Sequence, residues 1–113
     1  MSEISTDAIT DYHAHVYYDA GTKDAAARVR EAVEARFDVS MGRWHDNPVG
    51  PHPMGSYQIA FPPDLFAELV PWLALNRNGL TVFVHPNTGD DLADHRDRAI
   101  WLGDSQTLNL SIF

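Results

Sequence analysis

Hydrophobic and polar positions alternate along the chain with two different periods. From Ile9 to Tyr18, β-branched and aromatic residues crowd together and predict a strand. Gly21 ends it, and Thr22 is placed to cap the helix that follows. From Lys23 to Phe37, the residues Ala26, Val29, Val33 and Phe37 recur at intervals of three and four, the spacing of an amphipathic helix. Val39 to Trp44 reads as a second strand, followed by the loop DNPVGPHP. Ser56 to Phe61 reads as a third, with Tyr57, Ile59 and Phe61 on one face. Pro62 and Pro63 open a second helix carrying Leu65, Phe66, Leu69, Val70 and Leu73. Pro71 lies inside that helix, where the lost hydrogen bond predicts a kink or a break, and Gly79 ends it as a left-handed cap. Leu80 to His85 is a fourth strand, a third helical segment runs over about 92–102, and Leu108, Leu110 and Ile112 alternate as an added strand would. Residues 1–8 are polar and expected to fray, leaving 9–113 as a single domain.

The order β-α-β-β-α-β with a C-terminal helical segment and extra strand is that of a ferredoxin-like α+β sandwich. In that arrangement the first strand is central and antiparallel to the third and fourth, and two helices cover one face of the sheet. The other face stays open unless a second copy covers it, so a face-to-face homodimer is expected. Strand alternation assigns side chains to that open face. On the first strand Ala14, Val16 and Tyr18 suit the helical side, which leaves His13, His15 and Tyr17. On the fourth, Val82 and Val84 leave Thr81, Phe83 and His85; on the third, Ser56, Gln58 and Ala60 remain. Three strands read separately thus send histidines, a tyrosine and a glutamine to one surface.

Composition narrows the function. Sixteen acidic against eight basic residues give a formal charge of −8. The basic residues are scattered, so no face suits phosphate backbones and a nucleic-acid partner is not expected. Cysteine is absent, which excludes disulfides, thiolate metal sites and cysteine nucleophiles. No apolar run reaches the about 18–20 residues of a membrane span, and MSEISTD lacks the regions of a signal peptide. A cytoplasmic protein without membrane contact is the expectation.

Of six histidines, four sit in short compact settings: His13 and His15 in YHAHVYY, His52 in GPHPM and His85 in VFVHPN. Strand direction brings the end of the fourth strand to the start of the first, and His52 enters from the loop before the third. Imidazoles from three separate elements converging on one surface suit a divalent transition metal such as Zn, Fe, Cu or Ni. His45 and His95 read as ordinary strand-end and helix-surface residues, with a proton-transfer role open to His95 because its segment follows His85. Asp90 and Asp91 read as caps of the third helix.

These motifs together (YHAHVYYD, GPHPM before a strand, PWLALNRNGL and VFVHPNTGDDLADHRDRAIWLG) resemble the DOPA 4,5-dioxygenase family in the same order from about 12 to 110. The resemblance implies a ferredoxin-like dimer and extradiol cleavage of a catechol such as L-DOPA by non-haem Fe(II) and O2, with Zn also compatible with an all-nitrogen site. It implies His15, His52 and His85 as metal ligands and His13 as the residue to replace one of them or to join His95 in catalysis. Tyr17 and Gln58 are then candidates to contact substrate, and Arg43 or Arg77 to pair with a carboxylate. No Asp or Glu is expected on the open face, so an all-histidine set or recruitment of Asp90 or Asp91 is implied. Gly55 and Ser56 are small, which predicts a widened pocket. Competing readings of the same pocket are a metal- or small-ligand-binding dimer without catalysis and a cofactor-free oxygenase.

Overall fold

The strand nearest the middle of the chain's topology, β1 (Asp11–Tyr18), hydrogen-bonds on both sides, antiparallel to β3 (Gly55–Phe61) and to β4 (Val82–Asn87). In this computed structural model, which describes residues 2–113, β2 (Ser40–Met41) extends the sheet beyond β3 and β5 (Ile100–Leu102) beyond β4. The resulting five-stranded antiparallel sheet has the order β2-β3-β1-β4-β5. With α1 (Lys23–Arg36) after β1 and α2 (Phe66–Asn76) after β3, the chain has the predicted ferredoxin-like topology.

The apolar spacing builds the core as expected. Ala26, Val29 and Val33 of α1 and Leu69, Val70 and Leu73 of α2 are buried against Val16, Ile59 and Val84 on one side of the sheet. The Tyr57 hydroxyl crosses that core and donates to the Ala26 carbonyl at 2.7 Å, fixing α1 to β3. Arg30 lies over the Trp44 and Tyr57 rings, 5.4 and 5.0 Å from their centres, and pairs with Glu34 one turn on.

Several local expectations are corrected. Thr22 occupies the N-cap position of α1 without a side-chain cap bond; its hydroxyl and amide bond Asp19 in the preceding turn instead. The expected strand 39–44 is reduced to Ser40–Met41 and an isolated bridge between His45 and Ser56. Helix α2 does not break at Pro71 but continues to Asn76, and it is preceded by a separate 3-10 turn at Pro63–Leu65. Strand β4 continues past His85 through Pro86, which is tolerated because β5 pairs no further than Val84, so that edge needs no amide there.

The largest change is near the C-terminus. Helix α3 spans only Asp91–Arg96, capped by the Asp90 carboxylate on the Ala93 amide, and the rest of the expected helix is strand β5. Extending the chain lets Trp101 stack on Phe83 at 4.6 Å between ring centres while β5 fills the free edge of β4. A further helical turn would offer neither. The alternating tail is not a strand: Leu110–Ile112 is a 3-10 turn, tied to the GPHP loop by the Asn109 amide on the Pro51 carbonyl. In the segment 1–8, Met1 lies outside the described residues, and Thr6–Ala8 forms a 3-10 turn capped by Ser5.

These segments fold over the sheet face opposite the helices. His15, Tyr17, Phe83 and His85 are buried there within one chain, so covering them does not require a second copy.

Gly55 is the backbone position where this packing leaves no room. A methyl group there would meet the Tyr18, His45 and Asp46 carbonyl oxygens at 3.0–3.1 Å, so the glycine lets β1 and the 45–46 segment close on β3 instead of widening a pocket. Gly55→Ala is expected to destabilise the fold by about 1–3 kcal/mol, as overpacking does. Urea denaturation of the variant against the parent measures it.

Candidate metal centre

The sheet register places the histidines before any contact is considered. His13 lies directly across from His85 on β4 and from Ala60 on β3; one pleat along, His15 lies between Gln58 and Phe83; next, Tyr17 faces Ser56. The loop before β3 sets His52 over this surface, 4.2 Å from the His15 ring centre, and α3 sets His95 4.0 Å from that of His85.

His15 Nε2 and His85 Nε2 face each other at 3.1 Å, and the ligand atoms of His13, His15 and His85 all lie within 4.8 Å of one another. Adjacent donors on one metal with bonds of about 2.0–2.1 Å are separated by about 2.9–3.4 Å, so the His15–His85 spacing is that of two ligands of one ion. The outer nitrogen of His85 donates to the Pro86 carbonyl at 2.9 Å, which leaves a lone pair on Nε2. Burial, with the His95 and His13 imidazoles, pushes His85 down to about 4 against the opposing pull of the Pro86 hydrogen bond. Burial and the surrounding rings hold His15 well below its ordinary value and lower His13 despite the opposing pull of Asp11. With His85 Nε2 as acceptor, the 3.1 Å contact is a hydrogen bond donated by His15 Nε2, and neutral, desolvated imidazoles that can exchange that proton for an ion fit a divalent transition metal.

The expected set of His15, His52 and His85 is only partly assembled. His52 is buried beside His15, but its Nδ1 lies 2.7 Å from the Tyr17 hydroxyl, and the three mutually close residues are His13, His15 and His85. Tyr17 is 1% exposed and reaches His52 instead of open space. A pocket of about 190 Å3 lies on the His52 side of His15, lined by Arg43, His45, Val49, Ser56 and Gln58 among others. A cavity of about 150 Å3 holds a benzene-sized ring, so this recess suits a single-ring molecule. Arg77 is not there; its guanidinium donates to the Leu80 carbonyl at 2.9 Å and packs against Gly103.

Asp11 corrects the expectation that the face carries no carboxylate. Strand parity puts it beside His13, with Oδ2 3.8 Å from His13 Nε2 and Oδ1 accepting from Asn87 Nδ2 at 2.9 Å. That parity was readable from the sequence. The surroundings of His95 were not. His95 is buried, its Nδ1–H donating to the Asp91 carbonyl at 2.7 Å, with the Phe113 ring packed at a tilt against it, 4.4 Å between centres. The adjacent Asp94 is fully buried and accepts from the Thr88 amide, the Thr88 hydroxyl and Arg98, clamping α3 to the end of β4.

Comparison with known proteins places these features in a group. A family model described as the Dopa 4,5-dioxygenase family matches residues 12–112. A DOPA 4,5-dioxygenase from Amanita muscaria is 39% identical over 112 residues, covering 91% of this chain and 49% of the fungal protein. An uncharacterised 21.2 kDa protein of Botryotinia fuckeliana is 34% identical over 113 residues, covering 89% of this chain and 62% of its own length. The chain thus spans about half to three-fifths of the length of these two relatives. A crystal structure from Nostoc punctiforme, described as that of a candidate dioxygenase, superposes with a TM-score of 0.94 at 54% identity, covering 96% of this chain and 94% of its own.

Burial alone would raise the Asp94 carboxyl, but the Thr88 and Arg98 hydrogen bonds bring it below its ordinary 3.8. A group lowered on folding stabilises the fold above its unfolded value, and that contribution disappears as pH falls through the folded value. Asp94→Asn is expected to cost about 1–3 kcal/mol at neutral pH. It should also flatten the loss of stability on acidification, as measured by urea denaturation across a pH series.

Proposed function

The chain belongs to the Dopa 4,5-dioxygenase family, and from that membership and the imidazole cluster we propose that it is a non-haem metal dioxygenase that opens the ring of a catechol by extradiol cleavage with O2. The observation that carries this reading is the approach of His13, His15 and His85 with neutral, inward-facing nitrogens. These three would hold Fe(II), and three nitrogen ligands leave positions of an octahedral ion open for substrate and oxygen. When bound, Fe(II) supplies the electron transfer that allows triplet O2 to react with a singlet catechol.

The protein's own contribution is position and exclusion of water. Pro86 orients the His85 ring, and the Thr88–Asp94–Arg98 clamp holds α3 so that His95 packs against it. With Nδ1 bound to the Asp91 carbonyl, His95 is the residue to hold a catechol proton at Nε2. Gln58 and Arg43 line the recess beside His15 and are the side chains to contact the rest of the ring substrate. Phe83, Trp101 and Phe113 pack around the imidazoles and keep their surroundings apolar. Catalysis by a homodimer in the cytoplasm is part of the proposal.

Anaerobic reconstitution with Fe(II), followed by L-DOPA or other catechols and air, should give a yellow ring-opened semialdehyde with matching oxygen uptake. No uptake across a catechol panel by iron-loaded protein would overturn the activity. Replacing His13, His15 or His85 with Ala should abolish metal retention, read by elemental analysis, while leaving the helical circular dichroism signal intact. Retained metal in all three variants would overturn the ligand set.

A further inference from the structure

Tyr17 and His52 form a buried pair between the imidazole cluster and the pocket, with the phenol oxygen 2.7 Å from His52 Nδ1. Among the described residues the Tyr17 hydroxyl has no other hydrogen-bond partner. If Nδ1 carried the proton, the hydroxyl hydrogen would be left in the interior without an acceptor, which is disfavoured. With the phenol donating, both atoms are satisfied. A neutral imidazole that accepts at Nδ1 carries its proton on Nε2. His52 Nε2 has no partner among the described residues, and His52 lines the pocket.

The pocket matches such a donor. Its lining includes Arg43, Ser56 and Gln58 and no carboxylate, in a chain where acidic residues outnumber basic ones two to one. Arg43, exposed at the rim, has no ion-pair partner among the described residues, as is also true of Arg28, Arg36 and Arg77, but of these four it alone lines the pocket.

We propose that Tyr17 locks His52 as an Nε2–H donor to the pocket, so that His52, with Arg43, binds an oxyanion of a single-ring substrate and is not a metal ligand. The choice of donor over ligand rests on the three-histidine metal reading. Tyr17 is a positioning residue in this scheme, and it acts only through His52.

Long-range 1H–15N correlation spectra of histidine-labelled, metal-free protein read the tautomer directly. His52 should carry its proton on Nε2, and Tyr17→Phe should give a mixture of tautomers. On addition of Zn(II), the nitrogens of His13, His15 and His85 should shift and those of His52 should not. Binding of 4-nitrocatechol to zinc-loaded Tyr17→Phe should weaken by about ten-fold, with zinc stoichiometry unchanged. His52→Gln, whose amide retains a donor, should keep that stoichiometry as well. A proton on Nδ1 of His52 in the parent protein, His52 shifts that follow those of the other three, or loss of zinc from His52→Gln would overturn the proposal. If no histidine responds to zinc, the metal reading fails, and the tautomer, read without metal, still decides whether His52 is a donor.

Discussion

Everything in this protein turns on where neutral imidazoles put their protons once water is removed. A buried ring must place one N–H and one lone pair, and each left unmatched is destabilising by about 1–3 kcal/mol. Here the outer nitrogens of His85 and His95 are taken by the Pro86 and Asp91 carbonyls, and that of His52 by the Tyr17 hydroxyl. What remains is a set of nitrogens facing one another, with His15 and His85 only 3.1 Å apart. Such a cluster could hold a cation in place of the His15–His85 hydrogen bond, and the outer hydrogen bonds set which nitrogens it would meet.

The two faces of the sheet divide the work. One is an ordinary apolar core under α1 and α2, and it stabilises the frame. The other carries the polar rings, closed over by the GPHP loop, α3, Trp101 and the C-terminal turn. Because β1 is hydrogen-bonded on both sides, alternate residues of one eight-residue strand serve the two faces at once. The buried Asp94 clamp then ties the covering α3 back to β4, so the imidazoles are held from above as well as below.

Much of this was legible along the chain, for a simple reason. Strand alternation and helical spacing are local, and the residues involved, such as Ala14 and Val16 against His13 and His15, differ sharply in polarity. The same parity applied one step earlier identifies Asp11 on the polar face. The strand at 100–102 was hidden because its gain is not local: it depends on Trp101 meeting Phe83 and on a free edge of β4, while its own residues read equally well as helix.

By itself the sequence determined the fold class, the assignment of His13, His15 and His85 to one surface, and the family, since all three rest on periodicity and on motif order. Tertiary structure alone decided that His52 meets Tyr17, that Arg77 turns to the Leu80 carbonyl and away from the pocket, and that the face closes over itself. Those outcomes depend on which groups remain to be satisfied after loops fold over the sheet. No pattern of neighbours along the chain encodes a distance between side chains that only packing brings together.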